Sequence, residues 1–261
     1  MGSLTNKKII VTGGTMGIGQ AVVLRAAKEG ADVAFCGLTE HGATETTRAV
    51  EAAGQRAFFT AVDLRDLGAA RQFAREAIEF LGGLDGLVNN AGANTWHSVA
   101  GASFEDIENC FRTNFYHAWA LAQEAYPVMK AAGGGVIVNM SSIQAERTMP
   151  GVFPYNVAKA MLAALTRSIA MEWGHDNIRS VAIQPALTMT PLAVEYFAKF
   201  DNPDAEKARM LRSYPLNRGA EPGEIAATIV HVLSGENGFI SGAPILIDGG
   251  ISTLIETPHY W

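Results

Sequence analysis

The sequence predicts a single α/β domain, doubly wound around a parallel sheet, with a helical excursion laid over it. Three observations predict this class. Short apolar runs of strand length alternate with helical stretches, the pattern of a parallel sheet covered on both faces. A glycine-rich turn joins the first strand to the first helix. The polar motifs fall at the carboxyl ends of the strands, where such sheets bind ligands. A chain of 261 residues suits one large α/β domain, and no low-complexity or Pro-rich linker divides it, so the expected domain spans 1–261.

The elements follow in order. Lys7–Thr12 reads as a buried strand, and the segment from Gly13 to Gly19 as a tight turn opening a helix that stops at Gly30. Asp32–Cys36 is a second strand, followed by a helix near Ala43–Ala53. Arg56–Val62 is a third strand ending at Asp63, and a helix covers about Leu67–Leu81. Leu84–Val88 is a fourth strand closed by Asn89-Asn90-Ala91-Gly92, and one long helix is expected over about Phe104–Lys130. Val136–Met140 is a fifth strand. A loop from Ser141 to Pro154 leads into a helix from Tyr155 to about Glu172. Arg179–Ile183 is a sixth strand, Thr188 to Tyr214 the helical excursion, Glu221–Leu233 a helix and Pro244–Ile247 the last strand.

Composition narrows the function. The hydrophobic fraction of 48% and charged fraction of 18% are those of an ordinary globular protein. A formal charge of −6 argues against a nucleic-acid surface. The two cysteines, Cys36 and Cys110, read as small buried hydrophobes in a reduced compartment. The six histidines show no ligand spacing, so no metal is expected. The apolar run Ile9 to Val11 is too short for a signal or a membrane span, which predicts a cytoplasmic protein without a membrane partner.

The chemistry centres on Tyr155 and Lys159. On a helix, i and i+4 share one face, which places an ammonium beside a phenol. A phenol ionises near pH 10, and a nearby cation favours the phenolate, so the pair is expected to act as a general acid/base near neutrality. Ser142, thirteen residues upstream, offers a hydroxyl to orient the same oxygen. In the turn, Gly13, Gly17 and Gly19 let a phosphate approach the backbone, and the following helix presents free N–H groups and its positive dipole end.

Together these motifs resemble the short-chain dehydrogenase/reductase family over roughly Asn6 to Gly250. Thr12-Gly13-x-x-x-Gly17-Ile18-Gly19 resembles its cofactor turn, which also holds Thr15 and Met16. Asn89-Asn90-Ala91-Gly92 resembles the motif that steadies the central strand and lines the adenosine and ribose side. Asn114, Ser142, Tyr155 and Lys159 match the family's catalytic residues in order and spacing. Pro185 to Thr190, including Leu187, resembles the segment that clasps the nicotinamide amide. Ile240-Ser241-Gly242 and Asp248-Gly249-Gly250 resemble the C-terminal signature.

The resemblance implies a seven-stranded Rossmann-like sheet and NAD(P)-dependent hydride transfer to or from a small-molecule alcohol or ketone. It also implies a homotetramer built partly through the long helices. Tyr155 would exchange the hydroxyl proton. Lys159 would also bind the ribose, Ser142 would bond the substrate oxygen, and Asn114 would hold a water linking Lys159 to solvent. Asp63 is expected to accept from the adenine amino group, with Leu64 adding a backbone contact. The family's NAD-type members carry an acid at the position of Gly37, so glycine there favours NADP over NAD, with Leu38 and Thr39 beside the ribose.

Substrate contacts are expected from Asn94, Trp96, Gln144 and Arg147, with Ser142 and Tyr155 at the reacting carbon and Glu146, Pro154 and Ala186 nearby. Their polarity favours a sugar, sugar acid or polyol over a steroid. The alternative is a 3-oxoacyl thioester reductase. A different class, a cofactor-sensing regulator without turnover, conflicts with the presence of all four catalytic positions. Ala186 departs from the glycine usual in the family, and the apolar tail 251–261 is expected to pack on a neighbouring subunit.

Overall fold

A computed structural model describes residues 2–253 of the chain. Seven strands are hydrogen-bonded side by side, all in parallel pairs, in the order β3-β2-β1-β4-β5-β6-β7. They are β1 (Lys8–Val11), β2 (Asp32–Gly37), β3 (Ala57–Ala61), β4 (Gly86–Asn89), β5 (Gly135–Met140), β6 (Ile178–Pro185) and β7 (Pro244–Ile247). The order reverses between β1 and β4, so a crevice opens above their carboxyl ends.

Alternation along the strands sorts the core into two layers, because successive side chains point to opposite faces. Ile9, Val11, Val33, Phe35, Val138 and Ile183 pack on one face against α1 (Gly17–Lys28) and α9 (Pro222–Ser234). Ile10, Ala34, Cys36, Leu87 and Ile137 pack on the other against α3 (Leu67–Leu81), α5 (His117–Ala131) and α6 (Tyr155–Trp173). A short helix α2 (Ala43–Ala52) lies between β2 and β3 in the chain and adds Val50 to the first layer. Both cysteines are buried free thiols, as expected. No helix among the described residues is long and apolar enough to cross a membrane.

The long helix expected over Phe104–Lys130 is broken. It runs as α4 (Phe104–Phe111), a π-helical turn over Arg112–Tyr116, and then α5. Ser103 and Asp106 form a capping box at its start. Asn114 sits in the wide turn, where its amide donates to the carbonyls of Cys110 and Ala93 at 3.0 and 3.1 Å. The excursion contains α7 (Pro191–Phe197) and α8 (Pro203–Leu211), capped by Thr190 and Asn202. The tail expected to pack on a neighbouring subunit spans 251–261, of which 254–261 lie outside the described residues.

Candidate active site

The first strand ends on the glycine turn. Gly13 and Gly17 have φ of +65° and +57°, which glycine adopts without strain. A Cβ on Gly19 would lie 2.0 Å from the Gly13 carbonyl oxygen, so the turn closes only around glycine. Thr12 is fully buried, and its hydroxyl accepts from the amides of Asn90 and Ala91, each at 2.9 Å. Asn90 returns its side-chain amide to the Thr12 and Gly13 carbonyls at 2.9 and 3.2 Å. Its side chain therefore braces the turn from the β4 end.

The turn fits a dinucleotide. At the α1 N-terminus, Met16 makes no capping bond and the first turn holds no acid. By contrast, side chains occupy the equivalent position of α3, α4, α7 and α8. The free N–H groups of α1 suit a pyrophosphate. Met16 and Leu38 are exposed at the rim, as is Thr39. Gly17 touches the start of the excursion, because a Cβ there would meet Thr190 Cγ2 at 3.3 Å. The Leu187 amide donates to the Tyr214 hydroxyl at 3.1 Å, and Met189 and Leu187 pair with Ala220, which fixes the segment after Pro185.

Asp63 is paired with Arg65, whose guanidinium approaches to 2.6 Å, and this hydrogen bond lowers the carboxyl pKa. The carboxylate that was to meet the adenine amino group is thus engaged within its own loop. Leu64 is buried in the second core layer, so packing accounts for its side chain. Gly37 gains a structural reason: a Cβ there would sit 2.8 Å from Thr15 Cγ2, so the buried Thr15 fills the space an acid would need.

Ser142, at the end of β5, and Lys159 and Tyr155, on the first turns of α6, come together with Asn114. Ser142 is buried, donates to the Pro185 carbonyl at 3.5 Å and accepts from the Gln144 amide at 3.2 Å. Lys159 is 4% exposed and its ammonium donates to the Met140 carbonyl at 2.8 Å. Asn114 Oδ1 accepts from the Ala93 amide at 3.2 Å. A Cβ on Gly92 would lie 2.6 Å from Asn114 Oδ1 and 3.3 Å from Lys159 Nζ, so glycine keeps open the space those two groups share.

The electrostatics differ from the expectation of a lowered phenol pKa. Lys159 Nζ lies 5.3 Å from the centroid of the Tyr155 ring, a position over the ring face. Burial pushes the Tyr155 phenol up to about 12, against a lowering contribution from the Ser142 hydroxyl. Burial pushes Lys159 down to about 8. Desolvation is the largest cause of both shifts.

The substrate-side residues form a less uniform set. Asn94 and Arg147 are exposed, and neither side chain makes a hydrogen bond among the described residues. Trp96 stacks on Tyr196 of α7, with centroids 5.1 Å apart. His97 pairs with Phe153 across the cleft, its amide donating to that carbonyl at 3.1 Å. Gln144 Oε1 is buried without a partner among the described residues. Glu146 accepts from the buried Gln184 at 3.3 Å.

Sequence reasoning missed Tyr196, Gln184, Cys110 and His117 as neighbours of this site. A signal existed for two of them: Cys110, Asn114 and His117 recur at helical spacing, a polar stripe on a face that is buried.

Comparison with known proteins agrees with this arrangement. A family model described as enoyl-(acyl carrier protein) reductase matches residues 13–252. L-rhamnose 1-dehydrogenase (NAD(P)(+)) of Sphingomonas sp. (strain SKA58) is 33% identical over 256 residues, covering 97% of this chain and 99% of that protein. A solved structure from Sinorhizobium meliloti 1021, provisionally named a short-chain alcohol dehydrogenase, superposes with a TM-score of 0.90 at 34% identity, over 97% of this chain and 98% of that one. A 7α-hydroxysteroid dehydrogenase, solved with NADH and 7-oxo glycochenodeoxycholic acid, gives a TM-score of 0.87 at 28% identity over 95% and 94%. With its fold, its ordered motifs and these relatives in agreement, the chain belongs to the short-chain dehydrogenase/reductase family and is an NAD(P)-dependent oxidoreductase.

Proposed function

We propose that the enzyme oxidises a secondary alcohol of a small hydroxylated molecule, a sugar, sugar acid or polyol, or reduces the matching ketone. The observation that carries this substrate class is the buried, unpartnered amide oxygen of Gln144 beside Ser142. Leaving such an acceptor unpaired costs roughly 1–3 kcal/mol. A substrate hydroxyl that donates to it is favoured over an apolar surface that cannot. The rhamnose dehydrogenase relative supports the same class. The steroid-binding neighbour shares the fold, and fold alone does not select a substrate.

In oxidation Tyr155 takes the hydroxyl proton as the phenolate, a form that burial alone disfavours and that the positive charge of the oxidised nicotinamide would favour when bound; in reduction the phenol returns it. The nicotinamide, when bound, exchanges the hydride at the same carbon. Ser142 holds the reacting oxygen, and Lys159 supplies positive charge beside the phenol. Asn114, bonded to the Ala93 backbone through both its amide oxygen and its amide nitrogen, would hold the water that links Lys159 to solvent. Acid–base help of this kind is worth about 10²–10⁴-fold. For the cofactor, NADP is preferred over NAD, because Thr15 occupies the space beside Gly37 and no acid there opposes a 2′-phosphate. A homotetramer built through α4–α5 and α6 is supported by exposed Phe104, Trp119 and Met171 on those helices.

A second reading is reduction of a 3-oxoacyl thioester; the description of the matching family model shares its acyl-carrier substrate but names reduction of an enoyl group. The test supplies NAD or NADP with aldoses, sugar acids, polyols and simple secondary alcohols, and runs reduction of a β-ketoacyl ester in parallel. Nicotinamide absorbance reads turnover. Faster turnover of sugars with NADP is expected. Turnover of the ketoester alone replaces the first reading with the second, and tight cofactor binding with no turnover points to a regulator.

A further inference from the structure

One buried titratable side chain near the site has no part in the chemistry described so far. His117 follows the π-helical turn directly and opens α5. It has no exposed surface. Its Nδ1 lies 3.3 Å from the Arg112 carbonyl oxygen, five residues back across the wide turn. Its Nε2 is buried and makes no hydrogen bond among the described residues. The end of β4 meets the same helix, where Asn89 Nδ2 donates to the neighbouring Ala118 carbonyl at 3.4 Å.

These contacts join two segments that place catalytic groups. The π turn carries Asn114, and the β4 loop carries Gly92, whose missing side chain leaves room for Asn114 Oδ1 and Lys159 Nζ. A neutral imidazole has a single N–H. On Nδ1 it donates to the Arg112 carbonyl and pins the turn. A protonated ring would set a second cation in electrostatic reach of Lys159 on α6. Burial first, and that cation in addition, push the His117 pKa down to about 4, so the ring is neutral where the enzyme works. Cys110, on the same buried stripe, contacts Asn114 with Sγ 3.6 Å from its amide nitrogen, and burial pushes its thiol pKa up.

We propose that His117 is a positioning residue: its ring pins the π turn at Arg112 and so sets the placement of Asn114, which shares with Lys159 the space that Gly92 leaves open, against Tyr155. This rests on the Tyr155–Lys159 reading of the site.

The test compares wild type with His117→Leu, His117→Asn and Tyr155→Phe, using the fastest alcohol from the substrate panel. His117→Leu is expected to lower kcat by roughly tenfold or more, with cofactor Kd within about twofold, the scale of a small misplacement. The alkaline rise of its kcat is expected to move to higher pH, because a displaced ammonium helps the phenolate less. His117→Asn, which keeps a donor near Nδ1, is expected to recover part of kcat and the original profile. A purely structural role would lower thermal stability and leave the pH profile in place. Wild-type kcat and profile in His117→Leu, with Tyr155→Phe inactive, overturn the proposal alone. Full activity of Tyr155→Phe overturns the underlying reading and the proposal with it.

A second readout needs neither substrate nor a folded leucine variant. In ¹⁵N NMR of the wild-type protein, His117 is expected to show one neutral tautomer from about pH 5 to about pH 9. Titration of this ring near the ordinary ~6.5 would mean it is reached by water, and overturns the bracing role.

Discussion

At the residue scale, identities were readable and environments were not. Ser142, Tyr155 and Lys159 announce themselves by type and spacing, but their ionisation depends on burial, which spacing does not report. Hence a phenol expected to be lowered stands at about 12, with its lysine at about 8. His117 shares a helical stripe with Cys110 and Asn114 that the sequence shows, but that the stripe is buried required the fold. Its folded pKa of about 4 lies below an unfolded value near 6.5, so the unfolded chain binds the proton first. The stability this group contributes is present above pH ~6.5 and is lost as pH falls through about 4, on the order of 3 kcal/mol. Urea unfolding at neutral pH and near pH 4 should therefore show a steeper acid loss for wild type than for His117→Asn. Equal losses would contradict the buried neutral ring.

Gly37 makes a second case at this scale. Its absence of a side chain was legible as a missing acid, whereas the reason, Thr15 in the vacated space, required the fold. Gly37→Asp is expected to lower kcat/KM for NADP by at least about tenfold, through repulsion of the 2′-phosphate, and to depress Tm through the contact with Thr15. An unchanged NADP preference would count against the cofactor assignment.

At the scale of elements, the seven strands were found to within a residue or two, because alternation and turn residues mark them clearly. The failure was in the long helix. Its pattern is helical throughout, and nothing local signals that Arg112–Tyr116 widens into a π turn. The break is set by tertiary contacts, with Asn114 bonding to Ala93 and His117 facing Arg112. Such single wide turns occur often at functional sites. Gly92→Ala tests the junction between this helix, α6 and the β4 loop. Its Cβ would press on Asn114 Oδ1 at 2.6 Å, so kcat is expected to fall roughly 10²-fold while the far-ultraviolet circular dichroism stays unchanged. Wild-type turnover would mean that the space shared by Asn114 and Lys159 has no catalytic use.

At the scale of the whole molecule, the doubly wound order places six segments around one crevice: the ends of β1, β4, β5 and β6, the start of α6 and the excursion. This convergence was legible because each motif follows a strand, and parallel strands share one carboxyl end. The rim was less so. Trp96 on Tyr196, and Arg147 without a side-chain partner among the described residues, depend on how two loops fold toward each other. Exposed Trp119 and Met171 point to assembly through the long helices. Sedimentation is expected to give a tetramer, and Trp119→Lys with Met171→Lys to dissociate it. A monomeric wild type would contradict that assembly.

The most direct test of the central claim is Tyr155→Phe, assayed for turnover and for cofactor binding on the same preparation. Loss of about 10²–10⁴-fold in kcat with cofactor Kd unchanged is the predicted result. Turnover near the wild-type rate would contradict the account, because it would show that the Tyr155 hydroxyl does not carry the proton.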